Sequence, residues 1–456
     1  MREKRKKSIL IILLVVIISL ATIYTLESTA IIPQNSPSTS ITRDSQRELP
    51  TIPGINKRVL EEEHSIPLQK SPVITPPTTE KGISRAAPAV AYHDSDSYLL
   101  KFIQCESLDC SRFKSPVILD TGVYDYGFVS MKYGVDGFPI IAYGKGDYFA
   151  GGSQRELRVV HCTSIDCSTF NPPITLESST NNLGWFTDIS LAVGVDEFPI
   201  ISYQERSTAN LKVVHCTSID CSTFNPPTTL DANIYTGQFT SITIGADNFP
   251  IISYFQSSSW DLKVVHCTSI DCSTSDAPIY LDTMGKVGVH TSITIGSDNL
   301  PIISYGDRTA NTLKVAHCTS LDCSTSDITT LDQLSDWWSA ETSITIGSDN
   351  LPIISYKWFK FNPPFYEMLK AVHCTSQDCS TFDTPIIVDP DDWSGYYSSI
   401  TIGSDNLPII FHVDGGLDDN LQAVHCTSQD CSTTNPKVIL DNPVGYLYSI
   451  LSGSSP

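Results

Sequence analysis

The sequence predicts an all-β, seven-bladed β-propeller on three observations: a repeat near 50 residues, a cysteine pair in every repeat, and complementary gaps in the first and final repeats. All 14 cysteines fall into seven C-x4-C pairs, spaced 51 to 57 residues apart. They are Cys105/Cys110, Cys162/Cys167, Cys216/Cys221, Cys267/Cys272, Cys318/Cys323, Cys374/Cys379 and Cys426/Cys431.

One unit, read from Ser292, gives SITIG as a strand, SDN as a turn, LPIISY as a second strand and GDRTANT as a loop. LKVAHC follows as a third strand, TSLD as a turn, and a short fourth strand ends near Leu331. The β-branched runs bounded by Gly, Asp, Asn and Ser are strand and turn chemistry. Ile302 and Ile303 are adjacent, so strand two is apolar on both faces and needs the cover that neighbouring blades supply. The first unit begins at APAVAY (residues 87–92), which aligns with LPIISY and lacks a strand one. SILSGSS (residues 449–455) aligns with SITIGSD and has nothing after it. Joining the two yields a complete blade, so a C-terminal strand closes the first blade and the ring.

Ahead of the propeller, assigned to residues 86–456, two further segments are expected. Residues 1–30 carry five basic side chains before an apolar run of about 18 residues, which fits a transmembrane anchor with its basic flank in the cytoplasm. Ser28, Thr29 and Ala30 also suit a cleaved signal peptide, and the two readings compete. Residues 31–85 hold eight prolines among many Ser and Thr and read as a disordered, extended linker. The expected location is the cell surface, membrane-anchored with the propeller outside, or secreted.

Residues 1–86 carry 12 Lys and Arg against 8 Asp and Glu, leaving 17 against 42 beyond, a net of −25 on the propeller. Such a field repels nucleic acid and anionic headgroups, which argues against both as partners of the folded part.

Outside the cytoplasm, cysteines at i and i+5, opposed across the turn between strands three and four, are expected to form disulfides. A metal site is the rival, since His215, Cys216, Asp220 and Cys221 offer ligands, but neighbours on a strand point to opposite faces. No metal and no cofactor are expected. His161, His215, His266, His317, His373 and His425 recur at one position of strand three, with Gln104 in the first blade. A side chain repeated once per blade points to a structural bond between blades rather than catalysis. Asp136, Asp196, Asp247, Asp298, Asp349 and Asp405 recur in the first turn, where Asp bonds its own backbone.

The sequence has no G-x-S-x-G, no H-E-x-x-H and no phosphate-cradling glycine loop, and no catalytic residue is assigned. The two faces of the disc differ instead. Turns one-to-two and three-to-four are nearly uniform, whereas loops two-to-three and four-to-next vary and hold all six tryptophans: Trp185, Trp260, Trp337, Trp338, Trp358 and Trp393. Loops on a rigid scaffold are where recognition is built, and aromatics beside Asp391 and Asp392 suit a sugar or a protein surface. A tryptophan there can equally lid the joint between blades. The sixth unit's insertion, KWFKFNPPFYEM (residues 357–368), is the longest, and Trp358 and Trp393 are expected to be exposed on it and near it.

The units SITIGSDNLPIISY and LKVAHCTSLDCST resemble those of uncharacterised prokaryotic exported propeller-repeat proteins, over residues 87–456. The resemblance implies fold and location, and no activity. The leading functional expectation is a binding or scaffold propeller that recognises a carbohydrate or extracellular protein through its variable face. An extracytoplasmic glycoside hydrolase or lyase with acids around the central tunnel is the alternative, and a purely structural surface-layer module the third reading. Acids from several blades converging on one pocket would favour the enzyme.

Overall fold

The computed structural model describes residues 87–453, apart from 124–127, 147–154, 180–185, 206, 335–340, 361–365, 416–418 and 443–449. The expected N-terminal anchor or signal (residues 1–30) and linker (residues 31–85) lie outside the described residues; among those described, no helix is long and apolar enough to cross a membrane.

Seven four-stranded antiparallel sheets follow one another as blades. Blades 2 to 7 span residues 129–179, 186–231, 238–282, 287–333, 342–389 and 396–441. Blade 1 takes three strands from residues 89–121 and its innermost from Ile450–Gly453. The innermost strands touch in an unbroken cycle, blade 7 meeting the closing strand and the closing strand meeting blade 2. The closing strand sets Ile450 opposite Tyr92 and Gly453 opposite Ala89. In blade 6 it is Thr342 that opposes the equivalent Tyr356, so the closing strand sits two residues off the register that aligning SILSG with SITIG implies. An even offset leaves the same faces pointing the same way.

The apolar cores lie at the joints. Each hydrophobic cluster mixes two neighbours: Leu100 and Phe102 of blade 1 pack with Ile141 and Tyr143 of blade 2, and Val90 and Ile103 of blade 1 with Ile409 and Phe411 of blade 7. Strand two, as in Pro301–Asp307, is buried along its whole length because it is covered on both sides.

Two polar systems join the blades. A serine in the innermost strand of each of blades 2 to 6 accepts the backbone N–H of the next, as Ser130 from Leu191 at 2.8 Å, Ser190 from Ile242 at 3.1 Å and Ser241 from Ile293 at 3.2 Å. Farther out, the tyrosine ending strand two donates to the acid ending strand four of the preceding blade, and a Lys or Arg of strand three pairs with that acid. Tyr254 thus donates to Asp231 at 2.7 Å while Lys263 closes on the same oxygen, and Tyr305, Asp282 and Lys314 repeat the arrangement. Tyr92 donates across the closure to Asp441, which Lys101 meets at 2.8 Å.

This clasp occupies the role expected of the histidines, which bond within their own blade instead. His215 Nε2 lies 2.9 Å from Asp196 and His317 Nε2 2.7 Å from Asp298, each tying strand three to its own blade's first turn. The Asp does bond its own backbone as well, accepting the N–H two residues on, as from Leu300 at 3.1 Å. Blade 1 has no such Asp beside strand three, and there Gln104 donates to the Ala87 carbonyl at 2.9 Å.

All seven C-x4-C pairs are disulfides with Cα atoms 4.8 to 5.0 Å apart. Their geometry corrects the expectation of two cysteines directly opposed across a hairpin. The first cysteine of each pair does lie in a ladder, but its partner there stands eight residues on: Cys105 faces Phe113, Cys162 faces Phe170, Cys216 faces Phe224, and Cys318 faces Ser326. The second cysteine, five residues on, falls inside the turn. Cys110, Cys167, Cys221, Cys272, Cys323, Cys379 and Cys431 all take left-handed φ values of 52° to 56°. Each donates its N–H to the serine carbonyl three residues back, Cys167 to Ser164 at 3.0 Å and Cys272, Cys323, Cys379 and Cys431 to Ser269, Ser320, Ser376 and Ser428 at 3.1 Å. In the first blade Asp109 also collects the Ser107 and Ser111 hydroxyls. The disulfide therefore pins a tight polar turn back onto strand three rather than joining two paired strands.

Candidate functional site at the tunnel mouth

On the face of the variable loops, the innermost strands open into a cavity of about 170 Å³ lined by equivalent residues of successive blades. Two positions before each recurrent serine stand Phe128, Asp188, Phe239, His290, Glu341 and Tyr397. In a plain strand, a residue two positions from an inward serine would simply repeat its direction. Here the ladder breaks. Register shifts fall between Thr187 and Ser190, Gln238 and Ser241, Val289 and Ser292, and Tyr396 and Ser399. At each break the mouth residue is left-handed: Asp188 at φ 53°, Phe239 at 53°, His290 at 51° and Tyr397 at 52°. A bulky non-glycine side chain at such φ is costly, and a bulge there re-aims it. Below the break the Thr of the next position bonds back to the previous blade, Thr240 to Ser202 at 3.0 Å and Thr291 to Ser253 at 2.8 Å.

The mouth is aromatic on one side and ionic on the other. The Phe239 and His290 rings lie 4.1 Å apart between centroids. Phe239 continues to Phe255 at 6.0 Å and Phe255 to Trp260 at 5.8 Å, so an aromatic chain links a variable loop to the mouth. Lys357 donates to Glu341 Oε1 at 2.8 Å, and the Tyr397 N–H donates to Oε2 at 2.6 Å. The Lys357 ammonium also lies 4.0 Å from the Tyr396 ring centroid, and the Tyr396 hydroxyl bonds Glu367.

These contacts set the charge states. Burial pushes the His290 imidazole down to about 4, overcoming the nearby Glu341 carboxylate, so the ring is neutral at ordinary pH. Burial would raise Glu341, yet Lys357, His290 and the Tyr397 N–H hold it below the usual carboxylate range. Glu367 goes the opposite way, raised by burial with Glu341 and Asp392 adding to it. Among the described residues, no group of three or more His, Cys, Asp or Glu could hold a metal.

Of the tryptophans expected to bind, Trp185, Trp337 and Trp338 lie outside the described residues. Trp260 stands on the loop of blade 4 with Lys286 4.4 Å over its ring. Trp393, 44% exposed, precedes Tyr397 on the loop into blade 7. Trp358 is not an exposed loop residue. The insertion of the sixth unit lengthens a hairpin, pairing Trp358 with Met368 and Phe359 with Glu367. Trp358 is half-buried against the joint of blades 5 and 6, donates from Nε1 to the Gln333 carbonyl at 3.3 Å, and has Lys370 5.2 Å over its ring. Asp391 is tied to Lys437 at 2.5 Å, while Asp392 is exposed. Sequence reasoning missed the mouth residues. A partial signal lies in the sequence: Phe239, His290, Glu341 and Tyr397 each stand just before T-S-I or S-S-I and differ from one another, whereas Phe128 and Asp188 precede V-S-M and I-S-L.

No family model matches the chain, and no curated protein matches it. Solved structures do. A lectin from Burkholderia pseudomallei superposes with a TM-score of 0.57 at 11% identity, covering 79% of this chain and 98% of its own. An ulvan lyase, of a polysaccharide lyase family, superposes at 0.50 with 10% identity, covering 79% and 92%. At such identity they show the fold: this chain shares the β-propeller scaffold of proteins that bind carbohydrate and proteins that cleave it.

Proposed function

We propose that this protein is an extracytoplasmic carbohydrate-binding propeller whose ligand seats at the tunnel mouth. The observation that carries the reading is one cavity on the face of the variable loops, lined by the equivalent side chain of six blades, four of which, Asp188, Phe239, His290 and Tyr397, are aimed by a left-handed bulge. Phe128, Phe239 and Tyr397 offer flat apolar faces, and Asp188, Glu341 and the neutral His290 offer acceptors and a donor for hydroxyls. A cavity of about 170 Å³ is smaller than the roughly 300–1,000 Å³ of drug-sized sites, which suits a single sugar ring. Trp393 stands exposed four residues before Tyr397, and in the sequence Trp185 and Trp338 stand three residues before Asp188 and Glu341 respectively. Trp260, Asp391 and Asp392 belong to the same set of loops and Trp337 to the same stretch of sequence as Trp338, whereas Trp358 stands on the lengthened hairpin of blade 6. Seven disulfides fit an oxidising compartment. Residues 1–30 as anchor or signal and 31–85 as linker complete the proposed layout.

The test is a glycan array probed with the full-length protein and with Phe239→Ala and Tyr397→Ala. The expected result is binding by the parent, lost at least tenfold in the variants with melting temperatures kept within about 2 °C. Binding that survives both changes, or no glycan binding at all, refutes the reading. A second reading, a glycoside hydrolase or lyase, draws on one observation: acids of blades 3 and 6, Asp188 and Glu341, reach one cavity with a neutral histidine. Release of reducing ends or unsaturated ends from a bound glycan would establish it.

A further inference from the structure

Beneath the mouth, the tunnel widens into a cavity of about 430 Å³. The two spaces meet at a ring of hydroxyls, since Ser190, Ser241, Ser292, Ser343 and Ser399 line both. One step further down, two residues after each serine, the inward position carries Thr243, Thr294, Thr345 and Thr401, with Ala192 in blade 3. In blade 2 that position is Lys132. Residues of one strand separated by two share a face, so Lys132 stands in the threonine ring with its side chain toward the tunnel.

The lysine is out of keeping with its surroundings. No Asp or Glu is among the residues lining this cavity, and among the described residues none forms an ion pair with Lys132. Its side chain is exposed to the lumen yet enclosed by the tunnel walls, and that enclosure alone draws its ammonium below the usual lysine range. Beside it, the Tyr133 hydroxyl is buried and has no hydrogen-bond partner among the described residues. The other blades that line the cavity fill this position with a small neutral side chain, so neither packing nor ring closure calls for a cation. An unpaired ammonium open only to a narrow tunnel, with hydroxyl donors above and around it, is the arrangement that takes up an oxyanion. The propeller's net −25 sets the opposite field outside, so a free anion gains little by steering and the group must be carried in by something that binds for other reasons.

We infer that Lys132 and the surrounding hydroxyls form an oxyanion subsite, and that the glycan bound at the mouth carries a carboxylate or sulfate that enters it. This rests on the reading of the mouth as a sugar site, but the subsite can be tested without it. Lys132→Thr installs the residue that four other blades already carry, so folding is retained and a melting curve verifies it. Titration calorimetry in low-salt buffer would use sodium sulfate, sodium glucuronate and glucose as probes. The parent is expected to bind sulfate, glucuronate or both, and Lys132→Thr to weaken that binding at least tenfold. Sulfate alone identifies a sulfated ligand, glucuronate alone a uronate. Phe239→Ala is expected to weaken glucuronate while leaving sulfate unchanged, because sulfate has no ring to stack. If neither anion binds the parent, or if both bind the Lys132→Thr protein as well as the parent, the subsite is refuted. Sulfate binding that depends on Lys132, in a protein that binds no glycan on the array, leaves the subsite standing and sinks the mouth reading instead.

Discussion

Replacing Asp231 by Asn isolates what holds neighbouring blades together. Asp231 belongs to the outer strand of blade 3, and its partners Tyr254 and Lys263 to blade 4. The Lys263 and Asp231 side chains are 1% and 2% exposed, so no water can take over from the lost carboxylate charge. Breaking a buried pair by removing one partner costs about 3–5 kcal/mol. The Tyr280 ring, 4.6 Å from the ammonium, and the Tyr254 ring at 5.5 Å return part of that; cation–π contacts contribute about 0.5–2 kcal/mol. A net loss of about 3 kcal/mol follows, and at about 2 °C per kcal/mol for a domain of this size the melting temperature falls by about 6 °C. Asp120→Asn is the internal comparison. Its partners Lys145 and Arg158 are 25% and 18% exposed and can be rehydrated, so about 1 kcal/mol is expected. Asp231→Asn with Lys263→Met removes both charges and should melt within about 2 °C of the parent, since apolar replacement of a buried pair is close to neutral. Equal losses at Asp231 and Asp120, or no rescue by Lys263→Met, would refute the clasp as the source of joint stability. The pH dependence follows with a definite sign. Burial raises the Asp231 carboxyl but Lys263 and Tyr254 outweigh it and hold it below the usual range, so its stabilisation is present above about pH 4 and is lost as acid reaches the lowered pKa. The Asp231→Asn protein should therefore lose less stability than the parent between about pH 5 and pH 2.

Two further outcomes are expected. Deleting residues 445–456 removes the partner of Ala89–Tyr92 and opens two strand edges beside buried side chains, so cooperative melting should be lost, whereas deleting residues 1–80 should leave it unchanged; parent-like melting of the C-terminal deletion refutes closure by strand exchange. Trp358→Ala should lower stability by about 2 kcal/mol with ligand binding kept, as a half-buried joint residue does, while Trp393→Ala should weaken binding with stability kept; the reverse pattern on paired melting and binding assays would overturn this division of roles.

The ring was legible because its evidence is periodic. Seven cysteine pairs, the LPIISY strands and the broken first unit each recur or fail at a fixed spacing, and strand topology follows from those. The pairing of the cysteines was legible for the same reason, but not the curl of the turn, since C-x4-C spacing does not say that Cys167 or Cys431 takes a left-handed backbone. The joint chemistry was periodic too, since Tyr ends strand two, an acid ends strand four and Lys opens strand three in most units. It was passed over because each residue has an ordinary solitary explanation, and only the fold shows that the acid belongs to the preceding blade. Blade 7 departs from the pattern, with His412 and Gln422 in place of Tyr and Lys. Trp358 was misplaced because an insertion's length reads as a loop, while the pairing of Lys357–Lys360 with Tyr366–Leu369 shows it continuing the hairpin. The mouth residues share no motif of their own, because their chemistry varies from Phe and Tyr to His, Asp and Glu, and only the T-S-I or S-S-I that follows four of them marks their place.

That unlikeness has a bearing on how such a protein changes over time. The stitching of the ring sits at the serines and threonines, and in blades 3, 4, 5 and 7 the left-handed break immediately above them detaches one side chain from that duty. A substitution at Phe239 or His290 rewrites a single character of a circular inscription without loosening the disc on which it is cut. On the proposed reading of the mouth, lineages carrying this scaffold can therefore drift in ligand at almost constant stability, through changes at a handful of mouth positions.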